Sequence, residues 1–219
     1  MHVTKTKTAL IGGAFLASSA LAGTAAFTSA TASSAGSDTP VTGTQVQGQL
    51  NPLNNSGVTG RSVVHVAGRQ LHVEVDARGL APNLPHAQHI HYGEQARHEC
   101  PTVADDQNGD VRLTTSEGAP AYGPVRVSLT KRGDTSADSV LAVNRFPTAP
   151  EGEIHYDRDI QTGKAVARAI RQGEGVVVIH GVDYNNNGEY DFDSAGASEL
   201  NGELPAEATD PAACGVLHH

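Results

Sequence analysis

The chain has 219 residues, with 15 lysines and arginines against 24 aspartates and glutamates, which gives a formal net charge of −9 at pH 7. A surface this acidic disfavours nucleic acids and anionic membranes as partners, and it suits cations. The length is in the range of one domain with a core large enough to fold alone.

The first residues have the pattern of a secretory leader. Lys5 and Lys7 precede an apolar run of small residues at 9–27, and Ala30-Thr31-Ala32 is an A-x-A cleavage pattern. We therefore expect 1–32 to be a signal peptide and the protein to be secreted. A membrane anchor is the alternative. Gly and Ser dilute the run, no stop-transfer cluster follows it, and no later stretch is apolar enough to span a bilayer, so the leader is favoured.

The segment at 33–43 is rich in Ser, Thr and Gly and is expected to be a disordered spacer before a single β domain at 44–219. Within that domain several segments alternate apolar and polar residues, the period of strands with one buried face. The clearest is at 71–77, and the hairpin-type turn Gly68-Arg69 joins it to a strand at 62–67. Further strands are predicted at 45–50, 125–129, 140–143, 153–156 and, as a nearly continuous apolar run, 175–182.

One helix is predicted at 164–170, where apolar residues recur at helical spacing. Many short strands separated by Gly, Pro and Asn turns predict an all-β fold, an antiparallel sandwich or barrel. The only cysteines are Cys100 and Cys214. In an oxidising compartment such a pair usually forms a disulfide. The alternative, a cysteine metal ligand, has no CxxC partner, so the disulfide is favoured.

Three histidines lie where strands could bring them together as metal ligands. His89 and His91 are two residues apart, so they project from the same face of an extended strand, and His180 follows the apolar residues 176–179. Three neutral imidazoles with an open position suit copper or zinc, and only copper offers redox chemistry. Lone histidines are more often surface or core residues, and that role is open for His65, His72, His98 and His155.

The order of these motifs resembles the copper-zinc superoxide dismutase family over most of the chain after the leader. In that family Gly-Leu and then His-Gly-Phe-His-Val-His carry two copper histidines, and Gly79-Leu80 and His86-Ala87-Gln88-His89-Ile90-His91 match them position for position. A half-cystine follows nine residues later, as Cys100 does here. The family's third copper histidine closes a strand, as His180 does, and its C-terminal Ala-Cys-Gly-Val-Ile is matched at 213–217.

The resemblance implies a Greek-key β-barrel of the copper-zinc superoxide dismutase type, with copper bound by His89, His91 and His180. It also implies that both disulfide partners are present. The chain departs from the family in its zinc site, because no histidine lies between Cys100 and His155 to act as a zinc ligand. Zinc is therefore not expected as a cofactor, and copper-only members of the family do without it.

A second departure concerns the approach of superoxide. The family has an arginine three residues before the C-terminal cysteine that attracts the anion, and Pro211 occupies that position here, so anion steering is expected to be weakened. The CHRD domain, a secreted β module with a similar His-Ile-His-like strand motif, is a rival family. The cysteines and the C-terminal motif favour the dismutase family.

A loop at 106–117 has the calcium-ligand spacing of EF-hands, with oxygen-bearing side chains at positions one, three, five, nine and twelve. Its sixth residue is Val111 instead of Gly, and Gly118 and Pro120 are expected to prevent a proper exiting helix. A polar turn is the alternative to a calcium site. The predicted ligands are Asp106, Asn108, Asp110, Arg112 and Glu117.

A second calcium candidate begins at Asp183 and has Gly188 at its sixth position. Its twelfth residue is Ser194 instead of Glu, although Asp193 could replace the missing carboxylate, and Asn187-Gly188 is also a standard hairpin turn. Calcium bound there would stiffen the end of the strand that carries a copper ligand. The predicted ligands are Asp183, Asn185, Asn187, Glu189 and Asp191.

The leading hypothesis from the sequence is a secreted copper protein that disproportionates superoxide, with no catalytic residue assigned beyond the metal ligands. The alternative is a non-catalytic extracellular module that binds copper or calcium. The expected partners are superoxide or metal ions, and the oligomeric state is left open. Arg, Lys or His beside the copper mouth would favour the enzyme, and a closed, carboxylate-lined mouth would not.

Overall fold

The computed structural model describes residues 43–219, so the predicted leader at 1–32 and nearly all of the predicted spacer lie outside the described residues. Eight strands form the framework of this part of the chain. They are β1 (Thr44–Pro52), β2 (Thr59–Ala67), β3 (Gln70–Arg78), β4 (Gln88–His91), β5 (Val125–Ser128), β6 (Glu153–Gln161), β7 (Val176–His180) and β8 (Pro211–Val216). The α-helices are short: α1 (Thr115–Tyr122), α2 (Lys164–Arg171) and α3 (Ala206–Thr209).

The strands form one antiparallel sheet in the order β5-β4-β7-β8-β1-β2-β3-β6. β1, β2 and β3 are joined as consecutive neighbours, and the turn at Gly68 has the positive φ of 61° that glycine adopts without strain. β8 returns to pair with β1, while β6 pairs with β3 and β4 with β7. The prediction of an all-β fold is confirmed.

The two edge strands approach each other through side chains. The hydroxyl of Tyr156 on β6 donates to the carbonyl oxygen of Thr130, just beyond β5, at 3.1 Å. The guanidinium of Arg158 donates to the same carbonyl and to the Thr130 hydroxyl. The sheet is therefore curled like a barrel whose last gap is spanned by side-chain hydrogen bonds.

The hydrophobic core lies inside this curl. In β3 the residues at 71, 73, 75 and 77 are buried and alternate with partly exposed polar ones, as the sequence pattern predicts. β7 is buried at all five positions, which agrees with its continuous apolar sequence. Full burial of each large aliphatic side chain contributes about 1.5–3 kcal/mol. Successive side chains of a strand point to opposite faces of the sheet, so every second residue of β4 and β7 faces away from this core.

Two predictions about secondary structure are wrong. Residues 140–143 form no strand: 140–142 lie between the 3-10 helices Ala137–Ser139 and Val143–Arg145, and Val140, which is partly buried, lines the candidate site. A helix does follow the loop at 106–117, despite Gly118 and Pro120. Thr114 and Glu117 form a capping box that satisfies its first backbone N–H groups. The predicted helix at 164–170 is confirmed as α2.

The predicted disulfide is also confirmed. The sulfur atoms of Cys100 and Cys214 are 2.04 Å apart, and the bond ties the segment after β4 to β8 across 114 positions of sequence. Among the helices of the described residues, none has the length and apolar character needed to cross a bilayer.

Candidate metal centre

Pairing between β4 and β7 brings the three predicted histidines together. His89 and His91 point away from the core on β4, and β7 lies alongside in a register that pairs His89 with Val178, two residues before His180. One ligand nitrogen from each of the three rings lies within 4.8 Å of the others. The rings are buried, with exposed fractions of 2%, 1% and 4%.

Backbone carbonyls hold one nitrogen of each ring. The Nε2 of His89 lies 3.2 Å from the carbonyl oxygen of Val140. The Nδ1 of His91 lies 2.8 Å from that of Gly123, and the Nδ1 of His180 lies 2.7 Å from that of Thr209. A carbonyl can only accept, so each of these nitrogens carries the proton.

The remaining nitrogens are Nδ1 of His89 and Nε2 of His91 and His180, and all three are buried without a hydrogen-bond partner. Each therefore presents a lone pair that no donor satisfies. An unsatisfied buried acceptor costs about 1–3 kcal/mol. A metal ion bound by these nitrogens would remove that cost, and carbonyl-held imidazoles are the usual form of histidine metal ligands. The three residues fit a metal that prefers nitrogen.

Burial keeps the three imidazoles neutral. Desolvation lowers the pKa of His91 to about 3 and that of His180 to about 4. Desolvation also lowers the pKa of His89 well below its usual value, and the nearby rings of His180 and His91 lower it further. Neutral imidazole is the form that binds metals, so the site is ready for a metal at neutral pH.

Aromatic side chains pack around the histidines. The ring of Tyr122 lies 4.4 Å from that of His91, and the ring of Phe146 lies 5.2 Å from that of His89, as centroid distances. Gly118 makes room for Tyr122, because a Cβ atom at position 118 would lie 2.5 Å from its ring. These contacts fix the imidazoles against rotation.

A cavity of about 30 Å³ adjoins the three rings. This volume leaves room for about one or two water molecules beside the rings. Among the described residues, the cavity is lined by no lysine, arginine, aspartate or glutamate. Its lining away from the sheet is aliphatic, and consists mainly of Val140, Leu141, Leu200, Leu204 and Ala208. The mouth is therefore neither cationic nor lined by carboxylates.

Other histidines lie outside this centre. His98 stacks on Tyr92 and its Nε2 lies 2.7 Å from the carbonyl oxygen of Gly93, while His155 pairs with Asp76 on the outer face of the sheet. Neither lines the cavity. Pro211, in the position of the family's arginine, is buried and pairs with His180 between β8 and β7.

The first predicted calcium loop has an ordered set of internal hydrogen bonds. The Asp106 carboxylate accepts from the backbone N–H groups of Gly109 and Val111, and Val111 has a positive φ of 67°. The side chains of Asn108 and Asp110 each accept a hydrogen bond from the backbone N–H group two residues further along the chain. The side chain of Arg112 forms a salt bridge with the buried Asp210. Glu117 is engaged in capping α1. The carboxylates of this loop do not converge to within 4.8 Å.

The second loop repeats this pattern. The Asp183 carboxylate accepts from the backbone N–H groups of Asn187 and Gly188, and the Asn185 side chain also accepts from Asn187. Asp191 accepts from the side-chain amides of both asparagines, while Glu189 donates its backbone N–H to Asn187. The segment forms no hairpin strands. Calcium binding stays a prediction for both loops.

Several residues of the centre were not predicted from the sequence. Tyr122, Phe146 and the aliphatic lining come from loops and from α1, whose positions depend on the tertiary fold.

Comparison with protein-family models gives no match, and comparison with curated proteins gives no significant match. A functional assignment therefore rests on the geometry of the three histidines and on the sequence motifs.

Proposed function

We propose that this protein is a secreted superoxide dismutase that binds copper through His89, His91 and His180. The observation that carries the proposal is the set of three buried, partnerless imidazole nitrogens, one on each ring. Their other nitrogens are fixed by carbonyl groups, so no rearrangement is needed before a metal binds.

The donor set favours copper or zinc over calcium and magnesium. Imidazole nitrogen in a buried pocket suits copper and zinc, whereas calcium and magnesium require oxygen ligands. The three imidazoles do not discriminate between copper and zinc, so the choice between these two metals depends on the chemistry that the site serves. Bound copper would supply one-electron redox chemistry, which zinc lacks and which disproportionation of two superoxide ions to oxygen and hydrogen peroxide requires.

The arrangement of strands supports the resemblance to the dismutase family. The pairings of β3 with β6, of β4 with β7 and of β1 with β8 join strands that are far apart in sequence. Such returns are typical of Greek-key folds. The disulfide and the position of His180 at the end of β7 are also those that the resemblance implies.

The side chains around the cavity define what the protein itself contributes. The three imidazoles would hold the metal, and the cavity beside them leaves room for about one or two water molecules. Disproportionation consumes two protons, and no lysine, arginine, aspartate or glutamate of the described residues lines the cavity, although Glu199 lies close enough to act on the pKa of His180. We therefore infer that water entering the cavity delivers the protons.

The test is superoxide decay, followed by pulse radiolysis on protein loaded with one equivalent of copper. His89→Ala and His180→Ala each remove one ligand, and His98→Gln is the matched control outside the centre. Fast decay in the wild type and the control, lost in both ligand variants, supports the proposal. Decay in the wild type no faster than in the ligand variants, with copper bound to the wild type, contradicts it.

The aliphatic mouth favours a second candidate, a non-catalytic copper-binding module. No cationic side chain of the described residues lines the approach to the site, so an anion gains no attraction there. Leu141 and Leu200 at the mouth are 36% and 42% exposed. For this candidate we expect tight copper uptake with no acceleration of superoxide decay, even after Leu141→Ala widens the mouth.

A further inference from the structure

The outer face of the sheet carries a second group of metal-ligating side chains, on strands that do not build the buried centre. His72 and Glu74 project from the same face of β3, and Asp157 lies on β6 directly across from Glu74. The Nε2 of His72 lies 3.3 Å from the Glu74 carboxylate and 3.7 Å from the Asp157 carboxylate. One ligand atom from each of the three residues lies within 4.8 Å of the others.

A fourth residue orients the imidazole. The Oδ1 of Asp159, directly across from His72 on β6, lies 3.1 Å from Nδ1 of that ring. A carboxylate can only accept, so Nδ1 carries the proton and Nε2 is turned toward the other two carboxylates. A carboxylate that holds the second nitrogen of a ligating histidine is a common feature of zinc sites.

The protein balances the negative charge of this group only in part, because the carboxylates raise the pKa of His72 but a single imidazolium faces three of them. Within residues 43–219, no lysine or arginine forms a salt bridge with Glu74, Asp157 or Asp159. On the same face, by contrast, Arg61 pairs with Asp76 at 3.1 Å. Without an ion, a proton on Nε2 lets the ring donate to the two carboxylates, and a divalent ion that replaces this proton brings one more positive charge to the group. A divalent ion satisfies all three side chains at once.

We propose that His72, Glu74 and Asp157 form a surface site for a divalent first-row transition-metal ion, with Asp159 as the residue that orients His72. Imidazole together with carboxylates suits Zn²⁺ or Cu²⁺ and disfavours Ca²⁺, which binds oxygen alone. His65 lies across from His72 on β2, with ring centroids 6.2 Å apart, so a second imidazole flanks the site. The paired strands hold the ligands in place before the ion arrives.

The probe is Zn²⁺, added to the protein during isothermal titration calorimetry, with His72→Gln and Asp157→Asn as test variants. His155→Gln is the matched control, because His155 is an exposed histidine on the same face that also lies beside carboxylates. We expect the two test variants to bind one zinc ion fewer than the wild type, and the control to bind the same number. Asp159→Asn should weaken the site by about 10- to 100-fold.

Nuclear magnetic resonance of the imidazole side chains identifies the residue that binds. Zinc should shift the ring signals of His72 while those of His155 stay in place, both in the wild type and in His89→Ala, which alters the buried centre alone. Thermal melting of each variant checks that it is folded. The proposal is overturned if His72→Gln binds as many zinc ions as the wild type, or if zinc leaves the His72 ring signals unmoved.

Discussion

The Nδ1 of His86 lies 2.9 Å from the backbone carbonyl oxygen of His180. The Nε2 of the same ring lies 3.1 Å from the carbonyl oxygen of Ala81, and the ring is fully buried. Burial lowers the pKa of His86, so the ring is neutral at pH 7 and its single N–H bonds to one of the two carbonyls at a time. His86 thus ties the end of β7, where a proposed copper ligand lies, to the segment before β4.

Replacing His86 by Ala should lower both stability and copper affinity. The change leaves a buried carbonyl without a donor, which costs about 1–3 kcal/mol, and it frees the backbone of His180 to move. Urea unfolding measures the first effect, and copper titration by competition with a chelator measures the second. Tyr190→Phe is the control: it removes a hydroxyl that lies 3.3 Å from the ring but leaves the bond to His180. Equal copper affinity in all three proteins would contradict this role.

Gln88 is a polar residue on the core side of β4. Its side chain is fully buried, and neither the oxygen nor the nitrogen of its amide has a partner among the described residues. Because buried polar groups without partners cost free energy, Gln88→Leu should raise the free energy of unfolding by about 1–3 kcal/mol. Gln49→Leu, at an exposed position of β1, should have little effect. Loss of stability in Gln88→Leu would show that the amide is satisfied in solution, for example by a buried water.

Local patterns predicted most of the sheet because its strands have one buried face. β3 alternates over its whole length, and the sequence prediction at 71–77 falls within one residue of each end of the strand. β6 was predicted only at 153–156, yet the strand continues to Gln161 because Ile160 returns to the core. Alternation is informative only where the inward positions are apolar, and the charged Arg158 interrupts it in β6.

The failures have a different physical origin. The apolar residues at 140–143 lie against the metal centre, and a short apolar run does not reveal whether it packs in a sheet or over a site. Gly118 and Pro120 both disfavour a helix at α1, but these penalties alone do not decide whether the helix forms. The Thr114 to Glu117 spacing is a capping-box signal that could have predicted its start.

The candidate metal centre was predictable in part. Two histidines on one strand face follow from their spacing, but their meeting with His180 depends on the pairing of β4 with β7, which no local pattern encodes. The surface group around His72 has the same limit. Its histidine and Glu74 alternate along β3 as an ordinary polar face, and only the pairing with β6 adds the carboxylates of Asp157 and Asp159.

Calcium should stabilise the protein if either predicted loop binds it. A ligand that binds only the folded state at about 100 times its dissociation constant adds about 2.7 kcal/mol, so millimolar Ca²⁺ should raise the melting temperature measurably. Asp106→Ala and Asp183→Ala remove the first ligand of each loop, and the variant that loses the rise identifies the loop that binds. A melting temperature that is the same in Ca²⁺ and in a chelator would show that both loops are polar turns.

As the pH is lowered, the metal-free protein should begin to lose stability near pH 6.5, because of its buried histidines. The folded pKa of His180 is about 4 and that of His91 is about 3, because burial disfavours their charged forms, whereas the unfolded value is near 6.5. Between these values the unfolded state binds more protons than the folded state, so stability is greatest above pH 6.5 and falls as the pH drops. Each such histidine lowers the free energy of unfolding by about 1.4 kcal/mol for each unit by which the pH falls in this range.

Urea unfolding of metal-free protein between pH 7.5 and pH 4.5 measures this slope. His180→Asn keeps a polar side chain of similar shape but cannot take up a proton, so the slope should fall by about 1.4 kcal/mol per pH unit. Gln49→Leu, which changes an exposed position without altering a titratable group, should leave the slope unaltered. An identical slope in wild type and His180→Asn would mean that this imidazole already titrates normally in the folded protein, and that the pocket is wetter than its packing indicates.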